Sequence, residues 1–207
     1  MSYAEELQAL LGEHNPSEIQ ELILDSYLKS KELSEDHKKS LEKYGGLLHL
    51  TMKGCGLEKI DQFPRLEKLS ILELSDNSLK GESLKVVAER CPALYKLKIE
   101  DNKIEKVEDL EALKEIKSLE KLSVSQNPLS SAENYRDKIF HLLPNLKSID
   151  GLDREGNDVE STIYEGGDEE DEEYESEKDE EEYKEEEDED YEGKDEEEEE
   201  EDEGSKE

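Results

Sequence analysis

Carboxylates are the side chains of this sequence whose number and spacing most clearly indicate a binding function. The last 43 residues, 165–207, contain 30 Asp and Glu against four Lys, a net charge of −26. Such a run attracts polycations through many contacts that are each weak in water. Three tyrosines interrupt the acids and could enter apolar pockets or stack on arginines of a basic partner. The predicted partner-binding residues of this tail are Asp168, Glu169, Glu170, Asp171, Glu172, Glu173, Tyr174, Tyr183, Tyr191, Glu196, Glu197, Glu198, Glu199 and Glu200.

Residue patterns typical of catalysis or of a bound metal are missing from the sequence. The four histidines, at positions 14, 37, 49 and 141, have no metal-ligand spacing. The sequence contains no G-x-x-x-x-G-K-[ST], H-E-x-x-H or G-x-S-x-G motif. The acidic tail lacks the fixed Gly and the bidentate Glu of a calcium loop. We therefore expect a non-enzymatic protein without catalytic residues, cofactor or structural metal.

Composition divides the chain into a body and a tail. Residues 1–164 carry a net charge of only −9, whereas the tail has no Leu, Ile, Val, Phe, Met or Ala. Without apolar side chains to bury, the tail cannot offset the roughly 1–2 kcal/mol per residue that backbone ordering costs, so it is predicted to be disordered. A strongly acidic chain also repels nucleic acid and anionic membranes. Basic proteins are therefore the expected partners, with no direct contact to nucleic acid or membrane.

Cysteine spacing and hydropathy bear on the cellular compartment. Cys55 and Cys91 form neither a C-x-x-C pair nor a disulfide framework, which favours a reducing compartment. The first residues do not read as a signal peptide, and no apolar run approaches the length of a membrane span. We expect a soluble intracellular protein.

A repeated pattern, L-x-x-L-x-L-x-x-N/C-x-L, organises the body. Four copies begin at residues 47, 69, 94 and 119, and a degenerate copy begins at residue 19. Each copy alternates apolar and polar residues, which predicts a short strand with its leucines in the core. The apolar spacing changes to three and four over 84–91 and 107–116, which predicts helical turns on the convex side. Steps of 22 to 25 residues are typical of leucine-rich repeats.

The predicted fold is therefore an α/β leucine-rich-repeat solenoid, with a short curved parallel sheet, a helical or irregular convex side and a cap at each end. A capping helix stopping near Asn15-Pro16 is expected at the start, and a helix from Tyr135 followed by a closing strand that finishes at Asp150-Gly151 is expected at the end. The expected division is a capping helix over 1–18, repeats over 19–133, a C-terminal cap over 134–153, a linker over 154–164 and the disordered tail over 165–207.

The position two residues before the last apolar residue of each copy is predicted to be structural. Asn77, Asn102 and Asn127 occupy it in three copies, and Cys55 takes the same place in an earlier one. We expect these asparagines to bind backbone groups left unpaired where each strand turns away. Cys55, and Cys91 on a helical apolar stripe, are expected to be structural rather than reactive.

Strand alternation places a second set of side chains on the concave face of the sheet. Acids are expected on its early strands and lysines on its later ones. Ile23 and Ile71, if exposed there, would form an apolar docking patch. The other interpretation is that these are merely solvated sheet positions. The candidate binding residues are Glu21, Asp25, Ile71, Glu73, Ser75, Lys96, Lys98, Glu100 and Lys121, beside Ile23, His49, Thr51, Lys53, Ser123 and Ser125.

Three stretches resemble the acidic leucine-rich nuclear phosphoprotein family. They are NPSEIQELILDS at 15–26, LEKLSILELSDNSLKG at 66–81 and NYRDKIFHLLPNLKSIDGLDREG at 134–156. The last is a cap shared with other leucine-rich proteins, including a spliceosomal one. A cap, a short repeat array and a polyacidic tail together are far more specific to this family.

The resemblance implies a histone-binding, chaperone-like regulator of chromatin. It also implies an alternative, a serine/threonine phosphatase inhibitor acting through the concave face, with the phosphatase as partner. We expect a nuclear and cytoplasmic protein, because the sequence ends EDEGSKE where many members have a basic import cluster. Thr162 and Ser176 each have an acid three residues on, a pattern that acidophilic kinases prefer, and are the phosphorylation candidates.

Overall fold

The computed structural model describes residues 3–12, 14–28 and 30–159. The predicted tail lies outside these residues, with its acidic blocks and its three tyrosines at 174, 183 and 191. The phosphorylation candidates Thr162 and Ser176 also lie outside them. The structure therefore bears on the repeat domain and on its caps.

Six short parallel strands form one sheet whose order follows the sequence. Each predicted repeat copy contributes one strand, and the C-terminal cap contributes the last, which confirms the predicted solenoid. The central residues of the first five strands align across the sheet with Ile149 of the sixth, and all six are buried. Each strand thus adds one apolar side chain to a continuous core. The strands are β1 (Glu21–Ile23), β2 (His49–Thr51), β3 (Ile71–Glu73), β4 (Lys96–Lys98), β5 (Lys121–Ser123) and β6 (Ser148–Ile149).

The convex side is helical where the apolar spacing predicts it. Helix α3 (Gly81–Arg90) connects β3 to β4, and a 3-10 helix (Val107–Glu115) connects β4 to β5. Helix α1 (Tyr3–Leu11) precedes the sheet, α2 (Glu35–Leu41) lies between β1 and β2, and α4 (Tyr135–Leu142) precedes β6. Helix α2 is not predicted from the sequence, because only its last two residues, Ser40 and Leu41, are buried and its apolar periodicity is weak.

The three repeat asparagines form a ladder of hydrogen bonds along the turns that leave the sheet. The Oδ1 of Asn102 accepts from the Leu79 N–H at 2.9 Å, and its Nδ2 donates to the Leu74 carbonyl at 2.9 Å, both in the preceding repeat. Asn77 and Asn127 make the same two bonds one repeat earlier and one repeat later. The predicted structural role is confirmed.

Cys55 occupies the first position of this ladder and makes one of the two hydrogen bonds that each asparagine makes. Its Sγ donates to the Leu24 carbonyl at 3.2 Å. A thiol is a weak donor and acceptor and has no second polar atom to receive a backbone N–H from the preceding repeat. The ladder therefore begins weakly at the N-terminal end and strengthens toward the centre.

Left-handed backbone recurs just before each rung. The third residue after the strand has a φ between 46° and 63° at Ser26, Gly54, Asp76, Asp101 and Gln126, and the cap residue Asp150 shares this conformation with a φ of 52°. Only one of these six is a glycine, although the conformation costs other residues energy. Short polar residues tolerate it best, and the ladder bonds hold the chain in it.

The N-terminal cap is shorter than predicted. Helix α1 ends at Leu11 rather than near Asn15-Pro16, because Gly12 adopts a φ of +73° that terminates a helix. Asn15 instead caps a separate 3-10 turn, Pro16–Glu18. The first turn of α1 is held by α2, where Asp36 accepts from the Tyr3 backbone N–H at 2.8 Å.

The C-terminal cap completes the ladder with a side chain. In earlier repeats, the N–H groups beyond each strand donate to carbonyls of the next one. After β5, the Asp150 carboxylate takes that place, since its Oδ1 accepts from Val124 N–H at 2.6 Å and from Ser125 N–H at 2.9 Å. Its Oδ2 accepts from the Tyr135 hydroxyl at 2.9 Å, which ties α4 to the end of the sheet.

The cap continues past residue 153, into the segment expected to be a linker. Leu152 pairs in antiparallel bridges with Ile149 and Asp158. The Arg136 guanidinium donates to the carbonyls of Leu152 and Asp153 at 3.1 and 2.7 Å. Arg154 lies 4.7 Å from the Phe140 ring. The chain is thus held against the cap up to residue 159.

Replacing Asn102 with Ala should lower the free energy of unfolding by about 1–3 kcal/mol, because the buried Leu79 N–H loses the acceptor that it has in the structure. The Leu74 carbonyl would keep its bond to Asn77. Urea unfolding followed by circular dichroism measures the change. Asn145→Ala removes an exposed asparagine and is the matched control, with an expected effect below about 0.5 kcal/mol. Equal losses in the two variants would contradict the ladder's role.

Tyr135 should make stability fall at alkaline pH. Burial, together with the hydrogen bond to Asp150, raises its pKa to about 12. Because the folded protein favours the neutral phenol, its contribution is complete below the ordinary pKa near 10 and is lost as the pH rises to about 12. Tyr135→Phe should be less stable at neutral pH and should lose less stability between about pH 10 and 12. Urea unfolding of both proteins at several pH values tests this, and equal alkaline losses would refute it.

Candidate protein-binding face

Strand register arranges the concave face in rows that cross the sheet. The first row contains Glu21, His49, Ile71, Lys96 and Lys121, which are direct partners from β1 to β5. Two residues further along each strand, Ile23, Thr51, Glu73, Lys98 and Ser123 form the second row in the same way. Backbone hydrogen bonds beyond the strands continue this register to a third row of Asp25, Lys53, Ser75, Glu100 and Ser125. The structure therefore brings the predicted concave residues together on one surface.

The β1 end of this face is acidic and exposed. Glu21 and Asp25 are both exposed, and the Glu21 carboxylate pairs with His49 at 2.8 Å. Ile23 lies between them with 59% of its surface exposed, and Tyr27 nearby is 38% exposed. An isoleucine this open, flanked by carboxylates, suits a partner that offers both apolar and basic groups.

The centre of the face is less open than the sequence predicts. Ser75 is only 1% exposed and Thr51 only 6%, so neither is available to a partner as expected, and Ile71 is half-buried rather than exposed. Alternation fixes the side of the sheet on which a residue lies but not its depth. A short side chain between longer neighbours on adjacent strands is covered by them, and Ser75 is flanked by Lys53 and Glu100.

The β4–β5 end of the face carries three lysines. Lys98 pairs with Glu73 at 3.1 Å, and both side chains are largely shielded from solvent, at 33% and 16% exposed. Lys121 lies 5.7 Å from the Tyr95 ring. Lys96 is half-buried directly opposite Lys121. Its pKa is lowered, first by burial and then by the charges of Lys98 and Lys121.

Several polar contacts of the third row were not predicted. Asp25 accepts from the Thr51 hydroxyl and from the Lys53 N–H, and thus bridges β1 and β2. Lys53 pairs with Asp76 at 3.2 Å, and Ser125 donates to Glu100 at 3.3 Å. In the sequence, these contacts are indicated only by polar residues that recur at the same position of each repeat. This recurrence does not show which side chains of adjacent repeats form a pair.

Neither cysteine lies on the concave face. Cys55 and Cys91 are both buried and free. Burial raises the pKa of the Cys91 thiol to about 12 and that of Cys55 above its ordinary value. Both thiols are therefore held in the protonated, unreactive form, in agreement with the predicted structural role.

Within the described part of the chain, no three His, Cys, Asp or Glu side chains are grouped closely enough to hold a metal ion. Across the same residues, no helix combines the length and the apolar character needed to cross a membrane. The chemistry available on the concave face is that of charge pairs, hydroxyls and one exposed apolar residue, which suits binding to another protein.

Two relatives are about one-third identical to this chain over the residues that align with it. An acidic leucine-rich nuclear phosphoprotein 32-related protein of Plasmodium falciparum is 35% identical over 155 residues, which cover 74% of this chain and 55% of that protein. An acidic leucine-rich nuclear phosphoprotein 32-related protein 1 of Caenorhabditis elegans is 34% identical over 169 residues, which cover 77% of this chain and 68% of that protein. The chain thus spans little more than half the length of the Plasmodium relative.

A family model and a solved structure also match the leucine-rich repeats of this chain. Residues 50–157 match a leucine-rich repeat family, a span that runs from β2 to the end of the C-terminal cap. A chain in the crystal structure of the Drosophila melanogaster SNF/U2A' complex is 26% identical, with a TM-score of 0.55, over 65% of this chain and 74% of that chain. This similarity supports the leucine-rich-repeat fold.

Proposed function

Because this chain belongs to the acidic leucine-rich nuclear phosphoprotein 32-related family, we propose that it is a non-enzymatic, histone-binding regulator of chromatin with chaperone-like activity. In this proposal the acidic tail captures basic proteins, and the concave face adds selectivity. The observation that carries the proposal is the concentration of a net charge of −26 in residues 165–207, next to a leucine-rich-repeat domain with a net charge of only −9.

Charge density makes the tail a collective binder. Histones carry many Lys and Arg side chains, and each exposed ion pair contributes only about 0–1 kcal/mol. Affinity therefore comes from the number of pairs and should fall as salt screens them, since the Debye length is near 8 Å at physiological ionic strength. Extended, 43 residues reach about 150 Å. The tail could therefore surround a histone surface that the repeat domain touches at one place.

In this proposal the repeat domain supplies the structured binding surface of the chain. The ladder and the Asp150 cap hold the concave side chains in fixed register. A rigid surface loses less conformational entropy on binding than a flexible one. We therefore assign affinity mainly to the tail and selectivity mainly to the concave face.

Cellular location and modification follow from the same proposal. Both relatives carry the words nuclear phosphoprotein in their names, and a histone partner requires access to the nucleus. We propose that this chain works there and also resides in the cytoplasm. Phosphorylation at Thr162 or Ser176 would add about −1.5 to −2 charges each and would strengthen the attraction for a basic partner.

Removing residues 165–207 should weaken binding to a core histone dimer by at least about tenfold at 150 mM salt, because the tail provides most of the opposite charge. Fluorescence anisotropy with a labelled histone dimer measures the affinity. A second variant separates the loss of charge from the loss of chain length, because it keeps all residues and replaces the Asp and Glu of 165–207 with Asn and Gln. Its affinity for the histone dimer should fall as much as that of the truncated protein.

Unchanged histone affinity in either variant would contradict the proposed role of the tail. The same proteins separate this function from the alternative, inhibition of a serine/threonine phosphatase through the concave face. Tail removal should leave such inhibition intact if the alternative is correct. A phosphatase assay beside the anisotropy measurement would therefore identify which of the two functions the chain performs.

A further inference from the structure

We infer that Lys96, Lys98 and Lys121 form a receptor for carboxylates, which docks a segment of the partner protein that carries acidic residues. The inference rests on the proposed function, because it specifies which part of an otherwise basic partner the concave face selects. Selection would then depend on a feature that most basic surfaces lack.

The three lysines are concentrated on one part of the sheet. Lys96 and Lys98 lie on β4 two residues apart, so both side chains are on the concave side, and Lys121 is the direct cross-strand partner of Lys96 on β5. Ser123, the partner of Lys98, adds a hydroxyl at the edge of the cluster. Ammonium and hydroxyl donors on adjacent strands are suited to receive carboxylate oxygens.

One lysine of this cluster, Lys96, has no direct counter-ion among the residues that the structure describes. Lys98 has a counter-ion in Glu73 at 3.1 Å, whereas the Lys96 ammonium makes no ion pair or hydrogen bond with the residues that the structure describes. Like charges directly across two strands destabilise a sheet. Partial burial of Lys96 adds to this cost and lowers its pKa, and the nearby charges of Glu73 and Glu100 offset this lowering only in part. An approaching carboxylate would relieve both effects.

A cluster of three lysines is unexpected in a chain in which acidic residues outnumber basic ones. The chain has 62 Asp and Glu against 27 Lys and Arg, so acids are the commoner charged residues. Three lysines nevertheless occupy neighbouring concave positions of β4 and β5. A cost retained at one surface of a protein points to a function there rather than to the fold.

The other end of the face indicates what accompanies the carboxylates. Glu21 and Asp25 on the β1 side would favour basic groups, and strands lie about 4.8 Å apart, so these acids are about 14 to 19 Å from the lysines of β4 and β5. An extended segment advances about 3.3 Å per residue. The partner segment should therefore carry basic residues about four to six positions away from its acidic ones.

Two synthetic peptides test this inference with the full-length protein. The first has a group of three lysines and a group of three glutamates, and the centres of the two groups are five residues apart. The second has glutamine in place of each glutamate. Amide chemical shifts of Lys96, Lys98 and Lys121 in an NMR titration report binding at the cluster itself. The glutamate peptide should bind there at least about tenfold more tightly than the glutamine peptide.

Matched variants separate the cluster from general charge. Lys96→Gln with Lys121→Gln should abolish the preference for the glutamate peptide, whereas Lys80→Gln with Lys85→Gln, two exposed residues at the convex side, should retain it. Lys96→Glu with Lys121→Glu should reverse the preference toward a peptide with lysines in place of the glutamates. A melting curve for each variant checks that it is folded.

Equal binding of the two peptides by the unmodified protein, or equal loss of preference in the concave and convex variants, would overturn the inference. The histone-dimer affinity of the same proteins separates this failure from failure of the proposed function. Tail-dependent histone binding without a glutamate preference would reject only the carboxylate receptor. Loss of both would reject the two together.

Discussion

Backbone hydrogen bonding at the point where each strand leaves the sheet is the constraint on which the rest of this structure depends. Three-residue strands satisfy few of their own N–H and C=O groups, and the left-handed turns after them expose more. The side chains of Asn77, Asn102 and Asn127 join each turn to the one before it through a buried donor and a buried acceptor. Without such bonds, each buried unpaired group would cost about 1–3 kcal/mol.

The same requirement explains both the caps and the rigidity of the concave face. After the last repeat, β6 has only two residues, and the Asp150 carboxylate supplies the acceptors that a longer strand would offer, while Tyr135 fixes its orientation. At the first repeat, Cys55 supplies only a weak donor, and the turn is reinforced on the concave side by Asp25. The side chains of the concave face are therefore held in register mainly by contacts made where the strands leave the sheet.

Much of this architecture can be predicted from the sequence, because repeat spacing fixes both the strands and their register. Leu50, Leu72, Leu97 and Leu122 occupy equivalent places one repeat apart and align in the structure. Helix α2 was missed because its polar sequence carries little periodicity, although Ser34 followed by two acids is a helix-start signal. The burial of Ser75 and the bonds of Asp150 depend on neighbours brought in from other repeats, which alternation within one strand cannot specify.

The concave face and the tail contribute to recognition in different ways. Fixed side chains such as Lys96 and Glu21 can distinguish partners by geometry, while the dense charge of the tail can add affinity without a defined structure. The most direct test of this division is the slope of histone-dimer affinity against salt concentration. Neutralising the acids of 165–207 should make the slope much shallower, whereas Lys96→Gln with Lys121→Gln should leave it nearly unchanged. A slope that stays steep after the tail is neutralised would contradict the division.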